Sequence, residues 1–243
     1  SRGLGDVYKR QVPEWQAGVD KMKSLIQTNP AQASEEVGEL LKGKNKKNVD
    51  LVTSVAHVYL DAGKLTEAQE YLAMAKKANN KDPKVSVLEG DIALAQKNIG
   101  QACQLYEQAI YFDPNCKEAY LKYAQAYKSA SPALAIEKLE QLKAVDPNCL
   151  EADRELAEVY YSSNRFGKAA EMYAKFIDTP LATEDDMLKY AFALFLNHDF
   201  EKSLQVAQKG LQKNARHAAF NRLVMYNNTD LKLSLIHISE PTR

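Results

Sequence analysis

The sequence contains one near match to a nucleotide-binding motif, and the match lacks the residue that would complete the chemistry. The run Gly38-Glu-Leu-Leu-Lys-Gly43-Lys44-Asn45 has the spacing of a phosphate-binding loop, but Asn45 stands where a Ser or Thr would ligate magnesium. The apolar spacing around Gly38 also predicts a helix rather than a loop after a strand. We therefore interpret Gly43 as the cap of a helix C-terminus and expect no nucleotide site.

The other residue types that could do chemistry are scattered. His57, His198 and His217 lie far apart and form no paired-ligand spacing for a metal. The chain has three cysteines, Cys103, Cys116 and Cys149, and none forms a CxxC pair. We expect free thiols, no metal site, no cofactor and no catalytic residue, so the chain is predicted not to be an enzyme.

Composition indicates a foldable chain without a strong charge bias. Of the 243 residues, 45% are hydrophobic and 26% are charged, with Lys+Arg 32 against Asp+Glu 32. A balanced charge gives no argument for a nucleic-acid partner, and we expect none. No apolar run reaches the roughly 18 residues that cross a bilayer, so we expect no membrane insertion.

The two ends of the chain can be written as translations of a single DNA string. One string can encode Ser1–Gln11, and its reverse complement then encodes Leu233–Arg243. The string resembles the transposase adaptor used in short-read library preparation, so we interpret residues 1–11 and 233–243 as translated adaptor and expect no native structure for residues 1–11. The natural termini then lie outside this sequence, and localisation, cytoplasmic or periplasmic, is left open.

Between these ends the sequence repeats itself with a period of 33 or 34 residues. The runs FDPNCKEAY at 112–120 and VDPNCLEAD at 145–153 are nearly identical. One column of small residues reads Ala56, Gly90, Ala124, Ala157 and Ala191, and a second reads Ala68, Ala102, Ala135, Ala169 and Ser203. Apolar residues at helical spacing flank each column, and breaker sequences separate them. The pattern predicts a helix, a tight turn, a second helix and a loop in each repeat, with neighbouring repeats stacked to form the core.

The repeats resemble those of the tetratricopeptide repeat (TPR) family. One repeat carries the motif as Gly90, Ala102, Tyr106, Ala109 and Pro114, and another as Ala157, Tyr160, Ala169, Tyr173, Phe176 and Pro180. The resemblance implies a bacterial all-α protein, a right-handed α-solenoid of stacked antiparallel helix pairs with about six repeats and a severed seventh. We expect a divergent first repeat at 12–46, with Ser34 in its second column, five repeats at 47–80, 84–114, 117–147, 150–180 and 184–214, and a lone helix at 215–232.

In the TPR family the first helices line a concave face that commonly receives a peptide or a partner helix. By resemblance, the partner-binding residues here are His57, Asp91, Lys122, Gln125, Arg154, Glu158, Tyr161, Phe192 and Phe195, and the same stripe includes Thr53, Val87, Lys128 and Leu188. Aromatic side chains on such a face can anchor a ligand. The pairs on the first helices, such as Thr53 with His57, lack the Lys and Asn of TPR proteins that grip a chaperone's C-terminal carboxylate, so we expect no clamp of that kind.

The resemblance therefore implies a protein–protein interaction scaffold or adaptor. Its partner would be a protein or a peptide, and no small-molecule substrate is expected. The alternative is that these repeats form the sensory or docking arm of a larger protein with a kinase, glycosyltransferase or transcription-regulator domain. Fold alone does not choose between the two.

Overall fold

The computed structural model describes residues 12–239, with side chains to residue 232, and these residues form α-helices and one 3-10 turn without a strand. The chain divides into two compact units between Ala119 and Tyr120. The first unit contains α1 Gln16–Leu25, α2 Pro30–Leu40, the 3-10 turn Gly43–Lys47, α3 Val49–Asp61, α4 Leu65–Ala78, α5 Pro83–Ala95 and α6 Ile99–Phe112. Helix α7 Lys117–Tyr127 crosses the division. The second unit contains α8 Pro132–Val145, α9 Leu150–Ser162, α10 Phe166–Phe176, α11 Glu184–Leu196, α12 Phe200–Lys213 and α13 Ala218–Ser239.

Polar side chains and prolines fix where the helices begin. Asn48 accepts a hydrogen bond from the Leu51 amide at the start of α3, and Asn98 does the same for α6. Thr183 and Asp186 form a capping box at α11, each side chain accepting from the other's backbone N–H. Proline occupies the first turn of α2, α5 and α8, where its missing N–H costs no hydrogen bond.

Four of the tight turns within the helix pairs share one backbone conformation. Gly63, Lys97, Asn164 and His198 have φ values of 75°, 63°, 57° and 62°. Each follows the first helix of its pair, so the same left-handed residue ends that helix and redirects the chain into the second. Only Gly63 adopts this conformation without the steric cost of a Cβ atom.

Helix pairs pack side by side in the first unit. Helix α1 packs on α2, α3 on α4 and α5 on α6, while α1 contacts α3 and α3 contacts α5. The small residues of the two columns lie where the paired helices meet, and Ala56, Ala68 and Ala102 are completely buried. The first helices are therefore neighbours along one side of this unit.

The second unit is built in the same way. Helix α9 packs on α10, α11 on α12 and α12 on α13, and the pairs are joined by contacts of α8 with α9 and α10 with α11. Ala157, Ala191 and Ser203 are fully buried where helices meet. The predicted all-α fold of stacked helix pairs is confirmed.

Three details differ from the sequence-based expectation. In the first repeat Ala33 is fully buried and Ser34 is exposed. The reason is that the helix pair of this repeat has one residue fewer between its two column positions than most of the other pairs. Helix α2 ends at Leu40, and Gly43, with φ 58°, opens the following 3-10 turn instead of capping the helix. The last helix runs from Ala218 through Ser239 rather than ending at residue 232.

The adaptor interpretation concerns the origin of the end residues. Residues 1–11 and 240–243 lie outside the described part of the chain. The helical backbone of residues 233–239 does not bear on which DNA encoded them.

Candidate functional site

A cleft of about 890 Å³ opens beside the first helices of the first unit. Its lining comes from the segment before α1 and the first residue of α1, from α3 and α5, and from the first turn of α7. We call it the first-helix cleft and define it by Trp15, Asp50, Thr53, His57, Lys84 and Glu118. The structure thus brings together Thr53, His57 and Val87, three members of the predicted stripe, in one concavity.

His57 is held at the wall of the cleft by two hydrogen-bond partners. Its Nδ1 lies 2.9 Å from the carbonyl oxygen of Thr53, and its Nε2 lies 3.0 Å from Oδ2 of Asp91. A carbonyl oxygen can only accept, so Nδ1 donates to it, and a doubly protonated ring donates to both partners. Asp91, predicted as a groove residue, lies behind His57 and is only 8% exposed.

The buried carboxylate of Asp91 has a second partner in the core. Tyr106, on the paired helix α6, donates its hydroxyl hydrogen to Oδ1 of Asp91 at 2.7 Å. Burial raises the pKa of Tyr106 far above its usual value, and the negative charge of Asp91 raises that pKa further. The phenol therefore remains a hydrogen-bond donor, and a continuous chain of hydrogen bonds joins the cleft to the core.

Most other polar groups of the cleft are already engaged. Lys84 of α5 forms an ion pair with Asp50 of α3. Thr53 donates its hydroxyl hydrogen to the carbonyl oxygen of Val49 at 2.8 Å, and Ser54 donates to that of Asp50 at 2.6 Å. These hydroxyls are consequently not poised as nucleophiles.

Glu118 differs from these groups. It lies in the first turn of α7, is exposed, and has no ion-pair or hydrogen-bond partner among the residues that the structure describes. Trp15 lines the cleft from the segment before α1 and is partly buried against the core of this unit. The cleft therefore combines an aromatic surface with one carboxylate that the described residues leave uncompensated.

Two predicted charged residues of the second unit, Arg154 and Glu158, are engaged in ion pairs. Arg154 contacts the buried Asp186 through Nε and Nη2, at 3.1 Å in each case. Glu158 accepts from the hydroxyl of Tyr173 at 2.9 Å and from Nζ of Lys189 at 3.0 Å. Both residues thus link neighbouring repeats inside this unit.

The predicted polar residues of α7 differ in exposure. Gln125 is exposed and donates from Nε2 to Glu155 at 2.9 Å. Lys122 is half-buried, and Lys128 is exposed.

The predicted aromatic residues belong largely to packing. Tyr161 lies edge-on to Phe166, with ring centroids 5.7 Å apart, and burial raises its pKa. Phe192 and Phe195 pack against the core shared by α11, α12 and α13. Phe195 also lies 6.2 Å from the ring of Tyr226 on α13.

Sequence reasoning missed four cleft residues that form a column of their own. Gln16, Asp50, Lys84 and Glu118 are spaced by 34 residues and lie in the first turns of α1, α3, α5 and α7. Asp50 and Lys84 each stand three positions before a predicted stripe residue, Thr53 and Val87, which places them on the same helix face. Extending the predicted stripe by one turn would have found them.

Other kinds of site receive no support within the described range. No group of three His, Cys, Asp or Glu side chains there is arranged to hold a metal ion. None of the helices described is both long enough and apolar enough to cross a bilayer.

Comparison with known proteins agrees with the helix-pair architecture. A tetratricopeptide repeat model matches residues 56–119 and 125–182, half of the chain. The chain belongs to the tetratricopeptide repeat family. No curated protein matches it at a significant level.

Several solved structures share the fold at low sequence identity. PilW, a type IV pilus biogenesis factor, superimposes with a TM-score of 0.65 at 16% identity, covering 86% of this chain and 97% of PilW. PilF of Pseudomonas aeruginosa gives 0.62 at 16% identity over 85% and 95% of the two chains. YrrB, a TPR protein with an unusual peptide-binding site, gives 0.55 at 13% identity over 84% and 97%. At these identities the similarity shows the fold alone.

Proposed function

We propose that this chain is a protein-interaction scaffold that binds an extended peptide or a helix in the first-helix cleft and does no chemistry on it. Membership of the TPR family supports a general protein-binding role. The observation that carries the finer proposal is that Thr53, His57 and Val87, which the resemblance to the TPR family placed on the groove face, line one cleft.

The form of the cleft suits a segment of polypeptide. Its volume of about 890 Å³ lies within the range of about 300–1,000 Å³ that is usual for ligand sites. Its walls come from successive first helices, so a bound segment would cross several helices and contact each of them. Its hydroxyls are bonded to helix carbonyls, and His57 is held by Thr53 and Asp91, which leaves no base beside a nucleophile among the cleft residues described.

Two of the proteins with similar folds have related roles. PilW is a pilus biogenesis factor, and YrrB is a TPR protein with a peptide-binding site. These roles belong to those proteins, and they are compatible with the scaffold role proposed for this chain.

The proposal can be tested with a phage library of random peptides of about twelve residues, panned against the full chain. Peptides that bind the cleft should lose binding to Ser54→Arg and to Gln16→Arg, since both changes place a long cationic side chain in the cleft. Thr66→Arg is the control, because Thr66 is exposed on α4 and does not line the cleft. Failure to enrich any peptide, or binding that both cleft variants retain at unchanged melting temperature, would overturn the proposal.

A further inference from the structure

The column of first-turn residues in the first-helix cleft, Gln16, Asp50, Lys84 and Glu118, bears on which charge a ligand of the cleft would carry. Asp50 lies in the first turn of α3, and the ammonium of Lys84, one repeat further along, forms an ion pair with it. Glu118 occupies the equivalent position in the first turn of α7. A carboxylate in this position therefore binds a cation where the sequence provides one.

For Glu118 the sequence column provides no such cation. The preceding member, Lys84, is paired with Asp50, and the following member is Glu151, another acid. The imidazole of His57, which also lines the cleft, is held against the carboxylate of Asp91. Once the pairs of Asp50 with Lys84 and of His57 with Asp91 are set aside, Glu118 carries the one uncompensated charge among the described cleft residues, and this charge is negative.

The opposite end of the cleft is apolar. Val12, Pro13 and Trp15 line it, and Trp15 is the single tryptophan of the chain. From the start of α1 to the start of α7 there are three steps between first helices, and at about 8–10 Å a step they span on the order of 25 Å. An extended chain advances about 3.3–3.6 Å per residue, so about seven residues cover that distance.

We propose that the cleft selects an extended peptide with a basic side chain at one end and an apolar side chain about seven residues away. This inference rests on the proposed peptide-binding function and specifies its ligand. The lysine or arginine of the peptide binds Glu118 as Lys84 binds Asp50. The apolar side chain packs on Trp15, whose face accepts apolar groups.

Panning of the same twelve-residue peptide library gives the first test. Peptides that lose binding to the Ser54→Arg variant should share a Lys or Arg and, about seven residues away, an apolar residue. Panning against Glu118→Lys should instead enrich Asp or Glu at the first of these positions, because the charge of the cleft end is reversed. Glu70→Lys is the matched control, since Glu70 is exposed on α4 outside the cleft and the same charge reversal there should leave the preferred peptide sequence unchanged.

Affinity measurements separate the charge contact from the rest of the binding. The most enriched peptide is synthesised with lysine and with norleucine at the basic position, and binding is followed through Trp15 fluorescence. Norleucine should weaken binding to the unaltered chain by about fivefold, as an exposed ion pair allows, and should change little with Glu118→Gln. Higher salt should reduce the advantage of lysine.

The outcomes distinguish this inference from the function on which it rests. Cleft-dependent peptides without a basic preference, or the same peptides enriched by Glu118→Lys, would overturn the inference and leave peptide binding intact. Absence of any cleft-dependent peptide would overturn both.

Discussion

Gly90 of α5 lies directly against the ring of Tyr106 on α6. A Cβ atom built on Gly90 would lie 2.5 Å from Cε1 and 2.8 Å from Cδ1 of that ring. The ring cannot move aside easily, because Tyr106 is fully buried and its hydroxyl is bonded to Asp91. The glycine is therefore what allows the two helices to approach closely enough for this hydrogen bond.

Replacing Gly90 with alanine should destabilise the chain. We expect a loss of about 1–3 kcal/mol of unfolding free energy, as for other overpacked cores. Chemical denaturation measures it. The control is Gly100→Ala on α6, where an added Cβ meets nothing within 4 Å; it should be neutral or stabilise by up to about 1 kcal/mol. Equal changes in unfolding free energy for Gly90→Ala and Gly100→Ala would contradict the close approach of Gly90 to the ring of Tyr106.

The turn conformation predicts a stabilising substitution at Lys97. This exposed residue has a φ of 63°, which costs about 1–2 kcal/mol for a side chain with a Cβ atom. Glycine removes that cost and adds about 0.5–1 kcal/mol of backbone entropy loss. Lys97→Gly should thus raise the unfolding free energy by up to about 1 kcal/mol. Gly63→Ala, at the equivalent turn, should lower it, and a melting curve for each variant checks the pair.

Tyr71 should make stability sensitive to alkaline pH. Its ring stacks on Tyr59 with centroids 5.3 Å apart, and burial raises the pKa of Tyr71 to about 12. In the unfolded chain the phenol ionises near pH 10. Between about pH 10 and pH 12 the unfolded state therefore releases protons that the folded state still holds, and stability falls as pH rises.

Tyr71→Phe should make that fall shallower without abolishing it, because Tyr106 and Tyr173 also have raised pKa values. Denaturant unfolding measured across this pH range gives the slope. Tyr111→Phe is the control, since Tyr111 is 83% exposed and should leave the slope unchanged. An identical slope in the Tyr71 variant and the unaltered chain would contradict the prediction.

In the second unit, Arg154 should contribute to stability through Asp186. Among the described residues, removing the guanidinium leaves the buried Asp186 with its contacts to Thr183 alone, so Arg154→Ala should cost about 1–3 kcal/mol. A double-mutant cycle with Asp186→Asn isolates the pair. Arg222→Ala, on the exposed side of α13, should change stability by less than about 0.5 kcal/mol.

The helices and their packing could be predicted because the repeat fixes them. The period of 33 or 34 residues predicted the positions of the two columns of small residues. In the structure, Ala56, Ala102 and Ala157 of these columns are buried where helices meet. The misplacement of Ser34 follows from a one-residue difference in one helix pair, which is too small to see in a divergent repeat.

The pairing of charges could not be predicted in the same way. Helical spacing places Asp91 and Arg154 on a helix face, but each has a partner in another repeat: His57 is 34 residues from Asp91, and Asp186 is 32 residues from Arg154. Whether a polar residue on the face meets a ligand or a neighbouring repeat depends on those distant identities. This is why Arg154 and Glu158 are engaged within the described part of the chain and Glu118 is not.

The hydrogen-bond chain from Tyr106 through Asp91 to His57 has a consequence for the entropy of the peptide binding that we propose. Because the imidazole is fixed from both sides when the protein folds, its rotamer freedom is already lost before any ligand arrives. Ordering a side chain on binding typically costs about 0.5–1.5 kcal/mol. The wall of the cleft at His57 is therefore preorganised, and a ligand that contacts it meets a rigid surface rather than one that must be ordered.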